Sequence, residues 1–289
     1  MFSTGGAIAR SLAEGRRVDL VVCTGGEEGE IHDPDLDPAD AAPRLRAIRE
    51  AELRCSLFAL SDVADPSDTM SNLHLHLLGH RDSGMMGTPP NGRPDAFWQA
   101  DLERAMAPVV RLIRASRPAV VIHYDENGGY GHPDHIQAHR LAVAACAAAA
   151  DPGRFPDAGP AHQVRDRYQT AFGSGRWLAV MRAMRDRGLA VPWGYDEVLD
   201  AENAGDDPGQ GPGTTEPPVT TELDVTPWLA VKRVAMACHR TQRQDFGWAI
   251  DIPDDLAAMA FGTERFVLVE RGGAAPPQPG RTEATLFPD

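Results

Sequence analysis

A chain of 289 residues can bury one large core or two modest ones, and 42% hydrophobic with 24% charged residues is the composition of a soluble globular protein. A formal net charge of -14 argues against non-specific binding to nucleic acid or to an anionic membrane. No apolar run reaches the roughly 18–20 residues of a membrane span, and Met1 to Gly6 has no basic segment before an apolar one, so neither a span nor a secretory signal is expected. Cys23, Cys55, Cys146 and Cys238 are widely spaced, with no C-x-x-C pair. They read as buried thiols in a reducing compartment, the cytoplasm.

In chain order, Gly6 to Gly15 reads as a helix closed by Gly15, and Val18 to Cys23 as a buried strand. Thr24-Gly25-Gly26-Glu27-Glu28-Gly29-Glu30 is a strand-end turn whose carboxylates rule out a phosphate cradle. Asp33 to Pro43 reads as a loop and Arg44 to Leu60 as an amphipathic helix. On spacing alone, Arg49 and Glu52 form a surface i,i+3 pair. Leu73 to Leu78 reads as a strand, with His74 and His76 on one half-exposed face. Asp82-Ser83-Gly84 follows as a turn former, then a loop from Thr88 to Pro94 and a long helix from Phe97 to Ser116.

The second half reads as a strand from Arg167 to Phe172 and a helix from Trp177 to Arg187. Ala201 to Pro218, poor in apolar residues, is expected to be a mobile insert. A strand from Val219 to Val225, a helix from Pro227 through Gln242 and a last strand from Phe261 to Val269 complete the chain. The expectation is a single domain over 1–289, with a Rossmann-like half at 1–150 and its completion at 151–289. No G-x-G-x-x-G follows a first strand, so a dinucleotide enzyme is disfavoured.

The informative stretch is Tyr124-Asp125-Glu126-Asn127-Gly128-Gly129-Tyr130-Gly131-His132-Pro133-Asp134-His135. It follows the apolar run Ala119 to Ile122, a buried parallel strand, and opens an Ala-rich helix from Ile136 to Ala150. Strand, glycine turn, then polar groups at a helix start is how an open α/β sheet presents a site at its carboxyl edge. Two imidazoles three residues apart with a carboxylate between them can share a metal and a proton-transfer task. The glycines are expected to let the backbone approach a ligand, and Pro133 to stiffen the gap between the imidazoles.

Gly131-His132-Pro133-Asp134-His135, with the Tyr-Asp-x-Asn-Gly-Gly-Tyr before it, resembles the second signature of the LmbE-like, or PIG-L type, zinc-dependent N-acetylglucosaminyl de-N-acetylases. The likeness is greatest to the actinobacterial branch that contains the mycothiol-pathway deacetylase and the mycothiol conjugate amidase. It covers most of residues 1–145 and, more thinly, 219–270. It implies an α/β fold with a doubly wound, mostly parallel sheet, a Zn2+ cofactor, and a small amino-sugar or mycothiol-like substrate whose amide is cleaved.

By that resemblance His135 is a metal ligand, and His132 is the proton donor to the leaving amine. By their chemistry, Tyr130 can donate its hydroxyl to the developing oxyanion and Asp134 can hold an imidazolium in orientation. Glu30, Arg49 and Asp82 match substrate-binding positions, and Cys238-His239-Arg240-Thr241-Gln242 resembles an element near the family's site. Family members begin with a strand ending in His-Pro-Asp-Asp-Glu, whose His and second Asp bind zinc and whose first Asp is the base. Thr4-Gly5-Gly6-Ala7-Ile8-Ala9 resembles the helix start that follows it, so that first strand is missing and Met1 is expected to be an internal methionine of a longer natural chain. The residues as given therefore imply weak zinc binding and little hydrolase activity. The alternative is a non-catalytic descendant that keeps the sugar pocket.

Overall fold

The computed structural model describes residues 2–62, 72–171, 174–192, 194–204, 218–276 and 282–287. Helix α1 (Gly5–Ala13) ends just before Gly15, whose φ of +72° is the left-handed backbone that lets the chain leave a helix. Strand β1 (Val18–Thr24) runs parallel to β2 (Leu73–His80), with Val18 opposite Leu73. Between them lie α2 (Pro38–Ala41) and α3 (Leu45–Ser61). Helix α2 falls inside the expected loop, for a local reason. Asp37 accepts the Ala39 N–H at 2.8 Å as a cap, and Pro38 fills the first turn.

Helix α4 (Leu102–Ser116) starts five residues later than the expected Phe97. Asp101 caps it, accepting from Glu103 N at 2.9 Å, and Phe97–Gln99 is a separate 3-10 turn. Strand β3 (Val120–His123) is joined by α5 (Pro133–Ala150) to the parallel β4 (Asp166–Thr170). The rest comprises α6 (Ser174–Asp186), α7 (Tyr195–Ala204), β5 (Thr221–Asp224), α8 (Leu229–Ala237), α9 (Arg243–Asp251), α10 (Asp254–Phe261) and β6 (Thr263–Arg271). The helix expected over 227–242 is instead a 3-10 turn at Thr226–Trp228, then α8, then a 3-10 turn at Arg240–Gln242. Of the expected insert, residues 201–204 finish α7 and 205–217 lie outside the described residues.

The fold is α/β, with helices crossing between parallel strands. The strands form two groups, β1-β2 and β3-β4-β6-β5, with β6 antiparallel to both of its neighbours. Among the described residues, β1 and β3 each have a strand neighbour on one side only. The buried strands expected there are accordingly half-buried: all of β1, and Val120 to Ile122 of β3. The core lies mainly under helices. Phe97, Met106, Val110, Leu141 and Ala145 pack where α4 crosses α5, and Met181, Met184, Leu199, Leu256 and Phe261 pack among the C-terminal helices. Each large apolar side chain buried in this way contributes about 1.5–3 kcal/mol.

The cysteines correct the sequence reading in part. Cys55 on α3 and Cys238, directly after α8, form a disulfide across 183 residues of sequence, with Cα atoms 5.8 Å apart. Cys23 and Cys146 are free, and burial pushes both thiols up to about 12. The turns after β1, β2 and β3 meet at one edge. Glu27 Oε2 accepts the Asp82 N–H at 3.0 Å, and Asp134 Oδ2 accepts the Ser83 N–H at 3.2 Å.

Candidate active site

The turn after β3 is closed by its own backbone. Gly128 N donates to Asp125 O at 3.0 Å, Gly129 N to Asp125 Oδ1 at 2.7 Å, and Gly131 N to Asn127 O at 2.9 Å. Gly128 has φ +63°, and a Cβ on it would lie 2.6 Å from the Cβ of His135. The space this glycine leaves is filled by His135, not by a ligand as its sequence suggested.

Two backbone groups fix the protons on the imidazoles. His132 is the N-cap of α5, and its Nδ1 accepts the Asp134 N–H at 3.1 Å. An amide N–H can only donate, so neutral His132 carries its proton on Nε2. His135 Nδ1 lies 3.1 Å from Gly128 O, and a carbonyl can only accept, so His135 carries its proton on Nδ1 and a lone pair on Nε2. The ring centroids are 4.9 Å apart. Burial, then the neighbouring His132, pushes His135 down to about 4; burial lowers His132 as well. Both rings are therefore neutral at pH 7, one a donor and the other an acceptor.

Tyr124 stacks on His135 with centroids 4.2 Å apart and planes 8° from parallel. The Tyr124 carbonyl accepts from His123 Nδ1 at 2.6 Å and His139 Nδ1 at 2.9 Å. The sequence reading gave none of these three a role, although His139 lies one helical turn after His135. Tyr130 is 58% exposed and its ring stands nearly perpendicular to that of His135, with centroids 5.1 Å apart, so it lies at the rim.

Asp134 departs from its expected role. Its Oδ2 accepts the Ser83 N–H at 3.2 Å and its buried Oδ1 has no hydrogen-bond partner among the described residues, so it holds no imidazolium. Burial raises it to about 6, and the Asp82 charge pushes the same way. Asp82 is itself buried, and its Oδ1 accepts the Gly84 N–H at 2.8 Å, the turn-forming bond that the sequence allowed. Ser83 was missed. Besides its N–H to Asp134, its Oγ accepts from Trp98 N at 2.9 Å.

Arg49 lies against the turn after β1, and its Nη2 donates to Glu30 O at 3.1 Å. A Cβ on Gly29 would come within 2.3 Å of that Nη2. The Glu30 side chain is 84% exposed and pairs with His32 at 2.9 Å. The i,i+3 pairing of Arg49 with Glu52 gives way to another: Glu52 is buried and accepts both Thr241 N and Thr241 Oγ1 at 2.7 Å. His239, two residues away, is pushed down to about 4 by burial, with the Arg49 charge acting the same way. His74 and His76 are half-buried on β2, and His76 pairs with Asp19 at 2.8 Å.

The structure thus gathers Tyr130, His132, Asp134, His135 and Asp82, with Arg49 and Glu30 joined to them through the 25–30 turn. His135 Nε2 offers one metal donor. Among the described residues no three His, Cys, Asp or Glu side chains stand together as a metal nest. The described residues alone do not supply the three donors that the zinc site implied by the resemblance needs.

Acid–base groups assembled over the carboxyl edge of an α/β sheet belong to an enzyme. The sequence profile of the GlcNAc-PI de-N-acetylase family, PIG-L, matches residues 1–146. The chain is 39% identical over 279 residues to 1D-myo-inositol 2-acetamido-2-deoxy-alpha-D-glucopyranoside deacetylase 1 of Catenulispora acidiphila, covering 95% of this chain and 81% of that one. It is 41% identical over 290 residues to the deacetylase of the same description from Acidothermus cellulolyticus, covering 99% and 89%. The solved N,N'-diacetylchitobiose deacetylase of Pyrococcus horikoshii aligns with a TM-score of 0.53 at 17% identity, over 92% of this chain and 78% of that one, a likeness of fold. The chain belongs to the PIG-L family of de-N-acetylases, and it is an enzyme that acts on an amide bond. No helix among the described residues is long and apolar enough to cross a membrane.

Proposed function

We propose that this enzyme removes the acetyl group from an N-acetylated amino sugar, with an N-acetylglucosaminyl inositol as substrate, in the cytoplasm and on the route to a mycothiol-type thiol. The relatives' descriptions support the substrate class. The observation that carries the chemistry is the opposite protonation of two adjacent imidazoles. Amide hydrolysis needs a hydrogen-bond donor for the carbonyl oxygen as it gains charge, and an acceptor for the proton of the attacking water. His132 Nε2–H is the donor, with the Tyr130 hydroxyl beside it at the rim. His135 Nε2, which the resemblance makes a metal ligand, is here the acceptor, and it takes over from His132 the task of returning a proton to the departing amine. Asp82, in the turn that Asp134 holds through the Ser83 N–H, takes sugar hydroxyls, and Arg49 and Glu30 border the sugar. The binding-only reading is not favoured, because it leaves the tautomer pair without a task. No step here runs through zinc, since the described residues do not complete a site for it.

The test is release of primary amine from N-acetylglucosaminyl inositol. Wild type is expected to release it, in place of the little activity expected from the sequence alone, and His132→Ala and His135→Ala to lower kcat/KM by about 10²–10⁴-fold each. Zinc measured on the same preparation is expected below one ion per chain. A natively folded wild type that releases no amine, or a His132→Ala variant with full activity, overturns the assignment.

A further inference from the structure

We propose that the Cys55–Cys238 bridge is a thiol-exchange site for a low-molecular-weight thiol, and that its oxidation state sets how firmly the turn bearing Glu30 is seated against Arg49. Cys55 lies on the exposed face of α3, whereas Cys238 is half-buried at the end of α8. Exposed disulfides are the ones that thiols reach and reduce. Cys23 and Cys146 do not compete, because burial keeps them protonated, with both thiols pushed up to about 12. Exchange is therefore confined to one place on the chain.

That place is mechanically connected to the sugar side of the site. One turn before Cys55, Glu52 holds Thr241 through its N–H and its hydroxyl. The Thr241 carbonyl takes the His32 N–H at 2.8 Å, and Arg240 pairs with Asp33 at 2.9 Å and with Asp35. Residues 238–242 are thus fastened to α3 on one side and to residues 32–35 on the other, directly after Glu30. The disulfide is the covalent member of this clamp; the Arg240 guanidinium is half-exposed, so water competes for its pairs, most of all the one with exposed Asp35, while Asp33 is buried.

The chemistry balances with two thiols. The first thiolate attacks the reachable Cys55 sulfur, forming a mixed disulfide and releasing the Cys238 thiolate. A second thiolate attacks the thiol's own sulfur in that adduct and releases the Cys55 thiolate. The two cysteines gain two electrons, the two small thiols become one disulfide, and solvent protonates Cys55 and Cys238. His132 and His135 sit on a different turn, so loosening the clamp weakens sugar binding and leaves the chemical step in place. This kinetic consequence rests on the deacetylase reading; the exchange itself does not.

The test starts from protein purified without reductant and exposed to millimolar reduced glutathione. Alkylation in denaturant is expected to find two thiols before treatment, Cys23 and Cys146, and four afterwards. Quenching midway is expected to trap glutathione on Cys55, not on Cys238. Amide hydrogen exchange of 30–35 and 238–242 is expected to quicken several-fold on reduction, with KM raised several-fold and kcat retained. The Cys55→Ser/Cys238→Ser double variant is expected to match the reduced protein and to ignore glutathione. Four free thiols before treatment, a bridge that resists glutathione, or reduction with unchanged amide exchange each overturns the proposal. The mass-spectrometric and amide-exchange arms decide it even if no substrate is turned over.

Discussion

His132 and His135 are chemically identical side chains whose difference comes entirely from what the backbone places beside them. One Nδ1 faces an amide that can only donate, the other a carbonyl that can only accept. Gly128 makes the second arrangement: its carbonyl reaches His135 because the residue has no Cβ and takes a positive φ. Gly128→Ala would place a carbon 2.7 Å from Ile136 N, a backbone atom that cannot swing aside. It is expected to cost about 1–3 kcal/mol in urea unfolding and to lower amine release towards that of His135→Ala. Nearly full activity would show that the His135–Gly128 bond is dispensable. The turn was legible in the sequence, because a strand, a glycine turn and a helix start are contiguous; the packing of Gly128 on His135 and the two tautomers were not, since the glycines read as room for a ligand. The partners of Asp134 were not legible. Ser83 lies 51 residues earlier, and only the folded crossover brings it there. Glu30, Arg49 and Asp82 were legible through resemblance alone, since a turn carboxylate and a helix arginine carry no signal by themselves.

At the scale of elements, boundaries were set by single capping residues. Asp37 and Asp101 started helices where hydrophobic periodicity gave no edge. The far end of α5, the helix that carries His135, is held from outside. Arg114 on α4 is buried, and its guanidinium donates to six carbonyls: Ala148, Ala149, Asp151, Arg154, Phe155 and Gly159, at 2.7–3.1 Å. The last carbonyls of a helix have no intrahelical partner, and here one side chain supplies it. Periodicity places Arg114 on α4 but says nothing of this task. Arg114→Ala removes the side-chain partner of the buried Ala148 carbonyl and five further bonds, one of them to Ala149 O, which keeps the His162 N–H, and is expected to cost about 2 kcal/mol or more. Arg114→Lys keeps the charge without the planar fork and is expected to recover only part of that. Denaturant midpoints of both variants check it, and a loss below about 0.5 kcal/mol would mean that water replaces the guanidinium.

For the whole molecule, buried histidines outnumber the group that opposes them. Burial is the leading cause that pushes His123, His135 and His239 down to about 4. As pH falls from 6.5 to 4, the unfolded chain takes up these protons and the native state does not, so stability present above 6.5 is lost across that window. Asp134 acts with the opposite sign. Raised to about 6, it keeps its proton in the native state while the unfolded carboxyl ionises, so acidification from 6 to 4 relieves a burden. Three imidazoles against one carboxyl leave a net loss. At about 1.4 kcal/mol per pKa unit, the fold should weaken by several kcal/mol between pH 7 and pH 4.5. Urea midpoints across that range test it. His239→Gln, which removes one titrating group far from the His132–His135 turn, is expected to flatten the decline. A midpoint that stays level or rises on acidification would mean that these imidazoles protonate within the native state.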